Sequence, residues 1–193
     1  MKKLIILAAA MALAMSLSTC AHFTEPEPDY VEMMMQAARE GDEAAGREAE
    51  ELYIQQSGEA AFSFDELYLL SRAIHLNYGH YRNSAELRMC AGEVILNRMA
   101  SPEYPDSMEE VVFLPDESGR EAPDALPACC CPDGACVEAA GRLLSGERML
   151  EPSVVRISRR PQQNVYAMFC DHLLGNTYFY KSEHPELYEA PAG

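Results

Sequence analysis

The segment from about Ser84 to Met99 constrains this chain most, because its helical pattern is apolar on nearly every side. A helix covered with apolar side chains all round must be enclosed by other elements, so the sequence predicts a central helix within a packed domain. Its apolar positions are Leu87, Met89, Cys90, Ala91, Val94, Ile95 and Leu96. The polar residues Glu86, Glu93 and Asn97 are spaced to share the one remaining face.

Other helices are expected on both sides of this central one. Ser63-Phe64-Asp65-Glu66 is a capping box, which predicts a helix running to about Asn77. A short capped helix is expected from Asp106 to Phe113, and a further helix from Ala135 to Leu144. Before the domain, residues 30–60 form an acidic segment. Its stretch Tyr30 to Gln56 predicts a helix with a weak apolar stripe, which serves as a stalk, packs on the domain or binds a partner.

Three stretches near the C-terminus have strand character. They are Ser153 to Ile157, Asn164 to Cys170 and Asn176 to Lys181, which are rich in Val, Phe and Tyr. Helices come first and strands last, so the sequence predicts an α+β domain that is helix-rich with a short C-terminal sheet.

The N-terminus carries the pattern of an export signal. Lys2 and Lys3 precede an apolar run from Leu4 to Leu17, which is too short to span a bilayer as a helix. Leu17-Ser18-Thr19-Cys20 resembles a bacterial lipobox, so residues 1–20 are expected to be a signal peptide with a lipid on Cys20. The alternative is ordinary cleavage and a secreted product. Residues 21–29 are expected to be an extended tether.

The charge of the chain excludes one class of partner. The formal net charge is −16, and removal of Lys2 and Lys3 with the signal leaves −18. Such a surface repels nucleic acid, so no nucleic-acid binding is expected.

Seven cysteines matter because an exported chain meets an oxidising compartment. Lipidation of Cys20 leaves six, enough for up to three disulfides whose pairing the sequence leaves open: Cys90, Cys129, Cys130, Cys131, Cys136 and Cys170. Zinc sites usually space cysteines as Cys-x₂₋₄-Cys with further ligands, and no partner histidine follows at finger spacing. We therefore expect no metal and no cofactor, and a disulfide-pinned or partly free-thiol loop from Cys129 to Cys136.

From Phe64 to Tyr188 the chain resembles the SleB family of bacterial cell-wall hydrolases. Four segments carry the resemblance, in the family's order: Leu69 to His75, Met89 to Arg98 with Ser101-Pro102 and Tyr104-Pro105, Val111 to Pro115, and Leu174 to Tyr180. Pro185-Glu186-Leu187-Tyr188 matches the closing motif of one branch. Residues 63–190 are therefore expected to form the SleB-like domain.

The resemblance implies a small lysozyme-like domain that binds peptidoglycan glycan strands. It also implies lytic cleavage between the two amino sugars, in an envelope protein that faces the cell wall. This chemistry needs one carboxylic acid that protonates the departing oxygen and later takes a proton back.

The family's catalytic glutamate aligns with Asn77, whose carboxamide has no titratable proton. Three readings stay open: a degenerate protein that binds glycan or scaffolds other wall enzymes, a hydrolase that uses Glu86 or Glu93 as the acid, and a shared fold with another envelope role. Tyr78, Asn97 and Arg98 are the expected substrate-binding residues. His75 and His80 flank Asn77 and are expected to be structural.

Overall fold

The structure is a computed structural model that describes residues 28–80, 82–114, 131–170 and 174–188. The predicted signal peptide, Cys20, most of the tether, and Cys129 and Cys130 lie outside these residues. Within the described ranges, no helix has the length and apolar character needed to cross a membrane.

The predicted helix over Tyr30 to Gln56 is two helices, α1 (Tyr30–Glu40) and α2 (Glu43–Ser57). Gly41 ends α1 in the left-handed conformation, with φ of 71°. Asp42 then starts α2, its side chain accepting a hydrogen bond from the backbone N–H of Ala45. A glycine that tolerates positive φ and an acidic cap in sequence therefore turn one predicted helix into a hairpin.

The two helices predicted for the domain's centre are confirmed as α3 (Phe64–Tyr78) and α4 (Ala85–Met99). The capping box at the start of α3 is present in both directions between Ser63 and Glu66. Ser84 caps α4 by accepting from the backbone N–H of Leu87. The later helices are α5 (Met108–Val112) and α6 (Gly134–Leu144), and a 3₁₀ turn spans Pro185–Leu187.

The predicted strands form one antiparallel sheet of β1 (Val154–Ser158), β2 (Val165–Phe169) and β3 (Thr177–Lys181). Strand β3 is central, in the order β1-β3-β2. Its Phe179 pairs with Ile157 on one side and Ala167 on the other. The α+β prediction is confirmed, with helices first in the chain and the sheet last.

Helix α4 lies between two apolar clusters, which explains why its sequence is apolar all round. The larger core packs Met89 of α4 against the other helices, through residues such as Leu67, Ile74 and Leu143. The smaller core packs Leu87, Cys90 and Val94 against Val154 and Phe179 of the sheet. Gly92 of α4 allows α3 and α6 to pack closely against α4, since a Cβ at this position would lie 2.6 Å from Leu143 Cδ1 and 2.7 Å from Ile74 Cδ1.

The α1–α2 hairpin belongs to the larger core. Met34, Ala38 and Ala49 are each at most 1% exposed and lie in the same cluster as Phe64. A Cβ on Gly46 would lie only 2.2 Å from Phe64 Cε2. The hairpin is therefore a packed part of the domain and not a free-standing stalk.

Gly46 gives a test of this packing. Replacing an exposed helical glycine by alanine normally stabilises a protein by about 0.5–1 kcal/mol. Gly46→Ala should instead lower the free energy of unfolding by about 1–3 kcal/mol, because the new methyl group overlaps the Phe64 ring. Urea unfolding measures the change, and Glu48→Ala at an exposed position of α2 should alter it by less than about 0.5 kcal/mol. A stabilising Gly46→Ala would mean that α2 stands away from the domain.

Candidate functional site

Asn77 lies exposed in the last turn of α3, next to the end of the sheet. Its side-chain amide donates to the carbonyl of Ala73 at 3.2 Å, within its own helix. Its backbone carbonyl accepts from Arg159 Nη2 at 3.2 Å, and Arg159 Nη1 also donates to Leu174 O at 3.0 Å. Arg159 therefore joins the end of α3 to the chain around β1 and β3.

Tyr78 follows Asn77 and is half-buried against the smaller core. The guanidinium of Arg159 lies over its ring, 5.6 Å from the centroid. Burial raises the pKa of Tyr78 to about 12, and the positive charges of Arg159 and Arg98 act in the opposite direction. Asn83 donates to the Tyr78 carbonyl at 2.8 Å, which fixes the turn after the helix.

The predicted substrate-binding residues Asn97 and Arg98 have different surroundings. Asn97 is 7% exposed, and its amide donates at 3.0 Å to the carbonyls of both Glu151 and Val154. Arg98 is half-buried, donates to Val155 O at 2.6 Å and lies over the Tyr104 ring at 5.2 Å. Asn97 thus holds the approach to β1, while Arg98 and Tyr104 present a stacked pair near the surface.

The two glutamates considered as replacement acids have other partners. Glu93 is fully buried, and its Oε2 accepts from the backbone N–H groups of Met149 at 2.7 Å and Leu150 at 3.0 Å. Glu86 is exposed at the start of α4, where its own backbone N–H and the Ser84 hydroxyl lower its pKa. Within the described ranges, neither carboxylate forms a hydrogen bond with Asn77.

A hydrogen-bonded group that the sequence analysis did not predict joins two of its motifs. Glu103, inside the Ser101 to Pro105 segment, accepts from the hydroxyls of Tyr188 at 3.0 Å and of Ser182. The Tyr188 hydroxyl also contacts Ser101 Oγ at 2.6 Å. The sequence contains both the Ser101 to Pro105 segment and the motif that ends at Tyr188, but only the fold shows that the two are in contact.

Beside this group lies an open pocket of about 350 Å³. It is lined by Glu103, Tyr104, Arg156, Gln162, Glu183 and His184. Arg156 donates to Gln162 Oε1 at 2.7 Å and pairs with Glu183, and Tyr104 in turn contacts Arg98. Tyr104 therefore links the lining of this pocket to Arg98, whose positive charge also acts on Tyr78 at the end of α3.

We call the residues Asn77, Tyr78, Arg98, Tyr104 and Arg159 the Asn77 face. It combines aromatic rings, arginines and an amide, with Arg156 in the adjoining pocket. The sequence feature that could have predicted a basic surface here is Arg156-Ile157-Ser158-Arg159-Arg160, a basic run in a strongly acidic chain.

One group of side chains in the described residues could hold a metal ion. His75, Asp133 and Cys136 place one donor atom each within 4.8 Å of the others. The sequence predicted no metal because no acid lies near His75 in the chain, whereas Asp133 comes from the start of α6, 58 residues later.

No protein-family model, curated protein or solved structure matches the chain. The resemblance to cell-wall hydrolases therefore rests on the segments quoted from the sequence.

The raised pKa of Tyr78 predicts a loss of stability in alkali. An unfolded tyrosine titrates near pH 10, so the folded state's preference for the neutral phenol is fully present below pH 10. It declines as pH rises from about 10 to about 12, the pKa of Tyr78 in the fold. Burial of the Cys90 and Cys136 thiols, which raises their pKa values to about 11 and about 12, adds in the same direction.

Thermal unfolding between pH 8 and pH 11 measures this loss. Tyr78→Phe should reduce the fall in Tm with pH, because the variant has no phenol to ionise while it keeps the ring. Tyr166→Phe, at an exposed position of β2, is the matched control and should follow the wild-type curve. Equal slopes in wild type and Tyr78→Phe would show that the Tyr78 hydroxyl is not desolvated in the folded protein.

Proposed function

We propose that this protein is an envelope-anchored, SleB-like domain that binds peptidoglycan glycan strands along the Asn77 face without cleaving them. The proposal includes a lysozyme-like fold for residues 63–190, export by residues 1–20 and a lipid on Cys20 that holds the domain beside the wall. The SleB resemblance supplies the target, and the surroundings of Asn77 supply the argument against catalysis.

The observation that carries the proposal is the set of partners around Asn77. In the described part of the chain its hydrogen-bond partners are Ala73 and Arg159, one a carbonyl and the other a cation. Glycosidic cleavage by the family's mechanism needs a carboxylic acid at this place, and removal of a general acid typically costs 10²–10⁴-fold in rate. The amide of Asn77 can donate and accept hydrogen bonds but has no proton to transfer.

The same face suits the binding of a glycan. Tyrosine rings offer flat apolar surfaces to the faces of sugar rings, and arginine and amide groups bond to hydroxyl and N-acetyl oxygens. Peptidoglycan also carries carboxylates on its peptide stems, which Arg98, Arg156 and Arg159 would attract. These arginines matter because the chain as a whole is acidic, with a formal net charge of −16.

Glu103 favours a second candidate, a glycan-strand hydrolase that uses a different acid. Its carboxylate lines the pocket that adjoins Tyr104 and already accepts hydrogen bonds from Ser182 and Tyr188. A hydrolase of this kind would clear a suspension of purified peptidoglycan, and Glu103→Gln would abolish the clearing. The binding proposal predicts no clearing by either protein.

Co-sedimentation with purified peptidoglycan tests the binding proposal. The chain from residue 21 onward should sediment with the wall, and Tyr104→Ala and Arg159→Ala should each weaken binding about tenfold, equivalent to about 1.4 kcal/mol. Arg47→Ala is the matched control, because Arg47 pairs with Asp65 and Glu43 on the surface and lies outside the Asn77 face.

Circular dichroism of each variant separates loss of binding from loss of fold. Absence of sedimentation by the folded wild type would contradict the proposal. Equal binding by the wild type, Tyr104→Ala and Arg159→Ala would show that the binding site lies outside the Asn77 face.

A further inference from the structure

The end of α3 and the start of α6 bring together three side chains that differ in chemistry. His75 comes from the last turn of α3, Asp133 is the N-cap of α6, and Cys136 lies in the first turn of that helix. Their donor atoms all lie within 4.8 Å of one another, and Cys136 is completely buried. The Asp133 carboxylate lies 3.7 Å from His75 Nδ1.

From this arrangement we propose that His75, Asp133 and Cys136 form a binding site for zinc or a similar divalent transition metal. Imidazole, thiolate and carboxylate are the ligands that zinc takes in proteins, whereas calcium and magnesium prefer oxygen ligands alone. Tetrahedral zinc holds its ligand atoms roughly 3.3–3.8 Å apart. Side-chain rotations that move the ligand atoms by about 1 Å would therefore bring them to the distances that zinc needs.

The burial of the three residues leaves a way in for the ion. The His75 and Asp133 side chains are 29% and 36% exposed, while Cys136 lies beneath them. Three protein ligands leave the fourth tetrahedral position to a water molecule on the exposed side. His75 Nδ1 accepts a hydrogen bond from the backbone N–H of Asp133 at 3.2 Å, and the ion would replace that N–H as the partner of Nδ1. The Cys136 thiol would lose its proton to solvent when the ion binds.

Arg88 is the positively charged neighbour of these three side chains. It is 6% exposed, its Nη2 lies 4.0 Å from Asp133 Oδ2, and its side chain also contacts Cys136. Its Nε is buried without a hydrogen-bond partner in the described residues. A neutral thiol is a weak acceptor, whereas a metal-bound thiolate is a strong one, so Arg88 would support the sulfur ligand from the second coordination sphere.

The site is separate from the residues that would contact glycan, although His75 is two residues from Asn77. An ion there would join α3 to α6 at the end where the Asn77 face begins. Its binding free energy would stabilise the folded state and raise Tm, because the unfolded chain does not hold the three ligands together.

Cobalt and zinc binding to the reduced chain from residue 21 onward test the site. We expect one Co²⁺ per chain with a sulfur-to-cobalt charge-transfer band, displacement by Zn²⁺, and a rise in Tm with Zn²⁺. Asp133→Asn keeps an N-cap side chain for α6 while it removes the carboxylate, and should weaken binding at least tenfold. Cys136→Ser should abolish the charge-transfer band, whereas Cys170→Ser, outside the group, should leave both affinity and band unchanged.

Three results would overturn the proposal. They are no stoichiometric metal in the reduced wild type, unchanged affinity in Asp133→Asn, or loss of the band in Cys170→Ser. Co-sedimentation with peptidoglycan, repeated with and without a chelator, keeps the two proposals apart, since glycan binding is expected to survive removal of the metal.

Discussion

The burial of α4 on nearly every side is the constraint on which the rest of the structure depends. One side of this helix closes the larger core with α3 and α6, and the other closes the smaller core with the sheet. Its polar side chains serve the same purpose: Glu93 holds the backbone at Met149 and Leu150, and Asn97 holds the start of β1. Arg98 completes the attachment through Val155, which sets β1 and the nearby Arg159 beside the end of α3.

This arrangement explains why the polar residues of α4 need not be catalytic. Glu93 and Asn97 sit on the face of α4 that the sequence marks as polar, yet their hydrogen bonds go to the backbone of the segment that leads into the sheet. A buried backbone group without a partner costs about 1–3 kcal/mol, so these side chains have a sufficient structural role. Asn77, Tyr78 and the stacked pair of Arg98 and Tyr104 remain as the groups that can meet a ligand.

The sequence predicted the features that depend on local chemistry. The Ser63 capping box, the helix after Ser84, and the three strands follow from caps and periodicity, and all are present. The break at Gly41 was missed because an apolar stripe continues across it, although the Gly-Asp pair was the signal. Contacts between distant segments could not be predicted from the sequence. His75 and Asp133 are 58 residues apart in the chain, and Glu103 and Tyr188 are also distant, so both contacts form only when the chain folds.

The central proposal is that this domain binds peptidoglycan at the Asn77 face and does not cleave it. The most direct measurement is mass spectrometry of the soluble products after the chain from residue 21 onward is incubated with purified peptidoglycan. The account predicts no anhydro-muropeptides above the level of a protein-free control, while the protein stays with the insoluble wall. Release of anhydro-muropeptides by the wild-type chain would contradict it and would show that a carboxylate elsewhere in the domain performs the chemistry.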